Sequence, residues 1–63
     1  FLPNKLHWKI TITNKASASM VTVYDLTGSI MLQTDKSVLD ISSFSNGVYL
    51  VEIENEIVKI IKR

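Results

Sequence analysis

The chain has 63 residues, no cysteine and a formal net charge of +1. A chain of this length has room for one domain and buries only about 60% of the surface that it exposes when unfolded, so its stability depends on a small apolar core. The lack of cysteine excludes disulfides, thiolate metal sites and cysteine nucleophiles, and the near-neutral charge argues against a nucleic-acid-binding surface.

Six short strands are predicted, because apolar and polar residues alternate with the period of two that a half-buried strand requires. In chain order the predicted strands cover residues 8–13, 20–24, 30–33, 38–41, 48–54 and 57–62. These runs are rich in Val, Ile, Thr and Tyr, which favour strands, and no segment keeps a helical period. The chain is therefore predicted to be all-β.

Turn residues predict two hairpins. Between the second and third strands, Asp25 can accept a hydrogen bond from the turn backbone and Gly28 can adopt a positive φ. This pattern favours a type I turn followed by a bulge. Near Asn55 only a couple of residues remain between the last two strands, and Asn tolerates the left-handed region that a short hairpin turn needs.

A polar corner, defined as residues Ser42 to Gly47, separates the fourth strand from the fifth. Its six residues are too many for a two-residue hairpin, so the chain is predicted to cross there from one sheet to the other. Gly47, like Gly28, is assigned a positive φ. Tyr49 is expected to place its ring in the core and its hydroxyl on a backbone group of the corner.

Together these elements predict a small immunoglobulin-like antiparallel β-sandwich of about six to seven strands. The first, second and fourth strands would form one sheet, and the third, fifth and sixth would form the other. The residues expected to face the core are Trp8, Ile10, Ile12, Val21, Val23, Ile30, Leu32, Leu39, Ile41, Tyr49, Val51 and Ile53.

No arrangement of residues predicts catalysis, a cofactor or a metal site. His7 lacks a second histidine or a carboxylate pattern beside it, no serine lies in a nucleophile elbow, and no glycine-rich phosphate loop occurs. A non-enzymatic role is therefore expected. One such role is an adhesive or carbohydrate-binding accessory domain of a secreted enzyme, which predicts an exposed aromatic platform formed by Trp8, Tyr24 or Phe44.

The segments from Val21 to Leu32 and from Leu39 to Ile53, followed by the basic end from Lys59 to Arg63, resemble the C-terminal sorting domain of the type IX secretion system. At the start, Pro3-Asn4 resembles the first half of that family's Pro-Asn-Pro opening, although Lys5 stands in place of the second proline. The residues that match family motifs, each expected to be structural, are Pro3, Asn4, Asp25, Gly28, Asn46, Gly47 and Tyr49.

This resemblance implies a non-catalytic export signal at the end of a larger secreted protein, with residues 1–63 forming one sorting domain behind an N-terminal cargo. The cargo would pass from the periplasm of a Gram-negative bacterium, through an outer-membrane translocon, to the cell surface or the medium. A sortase-like cysteine peptidase would usually remove the domain. The first residue, Phe1, likewise suggests a segment of a longer protein.

The last strand is expected at a sheet edge, where a partner could add a strand to the unpaired backbone groups. Lys59, Lys62 and Arg63 are therefore candidates for contact with the translocon. Alternatively, the lysines are gatekeepers that keep an apolar edge from aggregating. An open edge also allows two copies of the chain to pair.

Overall fold

The computed structural model describes residues 8–63, which form six strands in two antiparallel sheets. The strands are β1 (Lys9–Thr11), β2 (Val21–Asp25), β3 (Ile30–Thr34), β4 (Val38–Asp40), β5 (Gly47–Ile53) and β6 (Glu56–Lys62). β1 and β4 form a two-stranded sheet, and the other strands form a four-stranded sheet in the order β3-β2-β5-β6. This arrangement confirms the predicted all-β sandwich. Residues 8–63 include no helix long and apolar enough to cross a membrane.

The core lies between the two sheets. Its buried members are Val21 and Val23 of β2, Leu39 of β4, Ile41 directly after β4, and Tyr49 and Val51 of β5. Partly buried apolar residues pack around this cluster, namely Ile10, Ile12, Leu32, Phe44, Ile53 and Ile60. Most of the predicted inward positions are therefore confirmed, and Phe44 and Ile60 are additions to the predicted set.

The predicted division of the strands between the sheets is wrong for β2. This strand pairs with β3 on one side and with β5 on the other, rather than with β1 and β4. The reason is local, because the short turn from Asp25 to Gly28 joins β2 and β3 as a hairpin, and hairpin partners belong to one sheet. The predicted crossing at the corner is confirmed, since β4 and β5 lie in different sheets.

Ile30 is also placed wrongly by the sequence prediction. The register of β2 and β3 shifts between Val23 and Tyr24, so that Val23 faces Leu32 but Tyr24 faces Ile30. This bulge lies inside β3, where Met31 is the extra residue, and it moves Ile30 to the outer face beside Tyr24. Ile30 is consequently 58% exposed instead of buried.

Within residues 8–63, three residues of the two hairpin turns have a left-handed backbone conformation. Gly28 has φ 89°, as predicted. Glu54 and Asn55 have φ 49° and 70°, which are the signs required by a two-residue type I′ turn between β5 and β6. Gly47 lacks the positive φ assigned to it, because it already lies in the extended backbone of β5 and pairs with Lys62.

Candidate functional site: the last strand and the corner

β6 is the outer strand of the four-stranded sheet. It pairs with β5 along its whole length, from Ile53 opposite Glu56 to Gly47 opposite Lys62, and no other strand within residues 8–63 pairs with it. The type I′ turn keeps this register regular. Ile57, Val58 and Ile61 of β6 are 64%, 53% and 47% exposed. The position at a sheet edge is therefore as predicted, with a long apolar strand open to solvent.

The three basic residues at the end of the chain occupy different environments. Lys59 and Arg63 are exposed, whereas Lys62 is only 4% exposed. The Lys62 ammonium group donates hydrogen bonds to the carbonyl oxygens of Ser42, at 3.0 Å, and of Phe44. The same group lies 6.0 Å from the centroid of the Trp8 ring, within the range of a cation–π contact.

This internal position of Lys62 was missed by the sequence prediction, which grouped it with Lys59 and Arg63. The alternation of side chains between the two faces of a strand is the signal that could have indicated this position. Residues 58, 60 and 62 point to one face of a strand, and Val58 and Ile60 are apolar. A lysine at the end of such a face can bury its stem and direct its ammonium group to the backbone of a neighbouring turn.

Tyr49 also stabilises the corner, through both its ring and its hydroxyl group. Its ring is buried and lies against Phe44, with ring centroids 5.1 Å apart and an interplanar angle of 45°. Its hydroxyl donates a hydrogen bond to the carbonyl oxygen of Ser45 at 2.6 Å. The expected contact between this hydroxyl and the corner backbone is thus confirmed. Together, Lys62 and Tyr49 satisfy three carbonyl oxygens of the corner.

Asp25 organises the turn between β2 and β3. One of its carboxylate oxygens accepts hydrogen bonds from the backbone N–H groups of Thr27 and Ser29, at 2.9 and 3.0 Å, and from the Thr27 hydroxyl at 2.6 Å. The Thr27 hydroxyl bond, with the backbone bonds from Ser29 and Thr27, lowers the pKa of this carboxyl group. Asp25 therefore supports its own turn, as the sequence predicts.

Two further carboxylates connect separate parts of the domain. Glu54 accepts hydrogen bonds from the Ser19 hydroxyl at 2.6 Å and the Ala16 N–H at 3.0 Å, and these bonds lower its pKa. They hold the loop before β2 against the final hairpin. On the outer face of the larger sheet, the Tyr24 hydroxyl donates to Glu52 at 2.9 Å, and this bond raises the pKa of Tyr24.

Residues 2–63 match the family model for the secretion system C-terminal sorting domain. The chain belongs to this family, which is the C-terminal sorting domain of type IX secretion. The match indicates a sorting signal rather than a catalytic domain, carried by a secreted cargo protein that crosses the cell envelope to the surface or the extracellular space. Comparisons with curated proteins and with solved structures gave no significant match.

The residues that were predicted to match family motifs lie mainly in turns of the described structure. Asp25 and Gly28 shape the hairpin between β2 and β3, whereas Asn46 and Gly47 lead from the corner into β5. The Tyr49 hydroxyl is hydrogen-bonded to the backbone of the corner. Pro3 and Asn4, like His7, lie outside the described residues.

Trp8, Tyr24 and Phe44, which the carbohydrate-binding alternative predicts as an exposed platform, do not form one. Trp8 is half-buried near Lys62, Tyr24 is half-buried and bonded to Glu52, and Phe44 is half-buried against Tyr49. Stacking on a sugar ring requires an accessible aromatic face, so these three positions do not support the carbohydrate-binding alternative. No group of acidic or histidine side chains within residues 8–63 could hold a metal ion.

Proposed function

We propose that residues 1–63 form a single C-terminal sorting domain at the end of a larger secreted protein. The cargo passes from the periplasm of a Gram-negative bacterium through the outer-membrane translocon of type IX secretion. A sortase-like cysteine peptidase then removes the domain, and the cargo continues to the cell surface or the medium. The observation that carries this proposal is the family match, which extends from residue 2 to residue 63.

The part of the domain that the translocon contacts is, in this proposal, the exposed surface of β6 with Lys59 and Arg63. β6 is seven residues long and lies at the sheet edge, and both basic side chains are exposed. Lys62 contributes from the interior, because its ammonium group is bonded to the corner and fixes the end of the strand. The motif residues of the turns shape the domain and are not contacts themselves.

Fusion to a reporter tests the export function. Residues 1–63 are placed at the C-terminus of a periplasmic reporter protein, which is expressed in strains with and without the translocon. We expect the reporter at the surface or in the medium only when the translocon is present. Surface delivery that is equal in both strains, or absent from both, would contradict the proposal.

Two further comparisons complete this experiment. The same fusion with Val51→Asp, which introduces a charge into the core, should remain in the periplasm because the domain cannot fold. In a strain that lacks the sortase-like peptidase, the delivered reporter should retain the domain and keep its full mass. A reporter that loses the domain in that strain would exclude this peptidase as the processing enzyme.

A further inference from the structure

We propose that the free edge of β6 binds an extended protein segment of the translocon machinery by β-strand addition, and that this segment is apolar with an acidic residue at about every fourth position. The inference rests on the proposed export function and names the chemistry of its partner. It is carried by three features of the edge: the direction of its backbone groups, the apolar groove beside it, and the spacing of its charges.

The backbone of β6 has free hydrogen-bonding groups at alternate residues. Ile53 and Glu56 flank the two-residue turn and are the first pair of the hairpin. In such a hairpin the flanking pair exchanges hydrogen bonds, and every second pair after it does the same. Ile57, Lys59 and Ile61 belong to the other pairs, so their N–H and C=O groups point away from β5. These groups are available to an added strand.

The other sheet edges within residues 8–63 are less suited to pairing with an added strand. β1 and β4 have three residues each. β3 has five residues, and its register with β2 is broken by the bulge beside Ile30. Short strands and bulges are the usual means by which proteins protect their edges. β6 has seven residues in unbroken register, so it offers the longest regular edge.

An apolar groove runs beside β6 on the inner face of the sheet. It has a volume of about 260 Å³ and is lined mainly by Ile10, Ile12, Val51, Ile53, Val58 and Ile60. A strand added to β6 would direct every second side chain to this face, over the opening of the groove. Apolar side chains at those positions would cover Val58, which is 53% exposed.

The outer face of the edge alternates apolar and basic residues, in the order Ile57, Lys59, Ile61 and Arg63. A complementary strand would place acidic residues opposite Lys59 and Arg63, which lie four positions apart, and uncharged residues between them. A second copy of β6, paired antiparallel about Lys59, would instead bring two Lys59 ammonium groups together, and the Lys62 side chains that it places opposite Glu56 are already bonded to the corner. Charge complementarity therefore favours an acidic partner over self-association.

A synthetic peptide with the repeated sequence Val-Thr-Val-Glu tests the partner chemistry on the full chain. We expect its binding to slow the amide hydrogen exchange of Ile57, Lys59 and Ile61 about tenfold, while Val58 and Ile60, already bonded to β5, change little. A control peptide with lysine in place of glutamate should bind about tenfold more weakly. Absence of binding, equal binding of both peptides, or protection on β3 instead would overturn the inference.

Substitutions at one position separate backbone pairing from side-chain contact. Ile57→Pro removes an outward-pointing N–H, whereas Ile57→Thr keeps it. Peptide affinity should fall about tenfold for the proline variant and change by about twofold or less for the threonine variant. Equal affinities in two folded variants would exclude strand addition at this edge. If the proline variant does not fold, the exchange pattern of the unchanged chain still decides the question.

Export of the reporter fusion provides the cellular test. The double variant Lys59→Glu with Arg63→Glu should lower export about tenfold, and the charge-matched control Lys9→Glu with Lys36→Glu should leave it within about twofold. All four side chains are exposed, and circular dichroism verifies folding of each variant. Normal export of the Lys59/Arg63 variant would overturn this inference but leave the export function intact. Failure of the unchanged domain to export would instead refute the proposed function.

Discussion

The ammonium group of Lys62 donates a hydrogen bond to the carbonyl oxygen of Ser42 at 3.0 Å, which joins the end of the last strand to a corner 20 residues earlier in the chain. A second bond from the same group reaches the carbonyl oxygen of Phe44. The corner backbone therefore depends on a side chain from β6, and the position of β6 depends in turn on the corner.

Replacement of Lys62 by methionine should destabilise the domain by about 1–3 kcal/mol, because methionine preserves much of the buried stem but leaves the Ser42 and Phe44 carbonyl oxygens without this donor. Urea denaturation of both proteins measures the difference. Lys59→Met is the matched control on the same strand, and it should change the free energy of unfolding by less than about 0.5 kcal/mol because Lys59 is exposed. Equal effects of the two substitutions would show that the buried bonds do not contribute.

Replacement of Tyr49 by phenylalanine should cost about 1 kcal/mol, since it removes only the hydroxyl that donates to Ser45 at 2.6 Å. Replacement by alanine should cost about 3–5 kcal/mol, because it also removes the buried ring that packs against Phe44. Thermal and urea denaturation of the two variants separate the contributions. A phenylalanine variant as stable as the unchanged domain would mean that water satisfies the Ser45 carbonyl equally well.

Local patterns in the sequence were enough to predict the strands, both hairpins and the crossing at the corner. Each of these features depends on residues that are close together in the chain. The strands follow from the alternation of apolar and polar residues, and the first hairpin follows from Asp25 and Gly28 in its turn. The hydroxyl contact of Tyr49 was also predictable, because a tyrosine just after a corner can reach back to it within a few residues.

The features that were missed depend on how backbone segments pair, both within the β2–β3 hairpin and between distant parts of the chain. A bulge in β3, opposite β2, decides which face of the sheet Ile30 occupies. Pairing with β6 gives Gly47 its extended backbone. The burial of Lys62 depends on the corner, whose carbonyl groups have no signature in the sequence. A strand pattern indicates that one face is inward, but the partner strand decides which register satisfies the backbone.

Truncation of Leu32 and Ile30 tests the bulge between β2 and β3. Leu32→Ala should destabilise the domain by about 1–2 kcal/mol, because Leu32 packs against the core. Ile30→Ala should cost less than about 0.5 kcal/mol, since Ile30 is 58% exposed. The midpoints of urea denaturation give both values. A loss for Ile30 as large as that for Leu32 would indicate the regular, bulge-free register, in which both residues face the core.

The two glycines should respond differently to alanine. Gly28 has φ 89°, and a Cβ added there would meet nothing within 4 Å, so Gly28→Ala should cost about 1–2 kcal/mol through backbone strain alone. Gly47 lies in extended backbone, and its added Cβ would approach a Tyr49 ring carbon at an ordinary 3.9 Å. Gly47→Ala should therefore change the free energy of unfolding by less than about 0.5 kcal/mol. Equal losses at both sites in chemical denaturation would contradict this assignment.

The domain should lose stability in acid through Asp25 and Glu54. Hydrogen bonds to their carboxylates lower both pKa values below the ordinary values of 3.8 and 4.5. The stabilisation is therefore complete above the pKa values of the unfolded chain and is lost as the pH falls through the lower values of the folded state. The urea midpoint should stay nearly constant from about pH 7 to 5 and then decrease towards about pH 3. The double variant Asp25→Asn with Glu54→Gln should start less stable and show a smaller decrease, because neither position titrates. If the variant lost as much stability in acid as the unchanged domain, other carboxylates would be responsible.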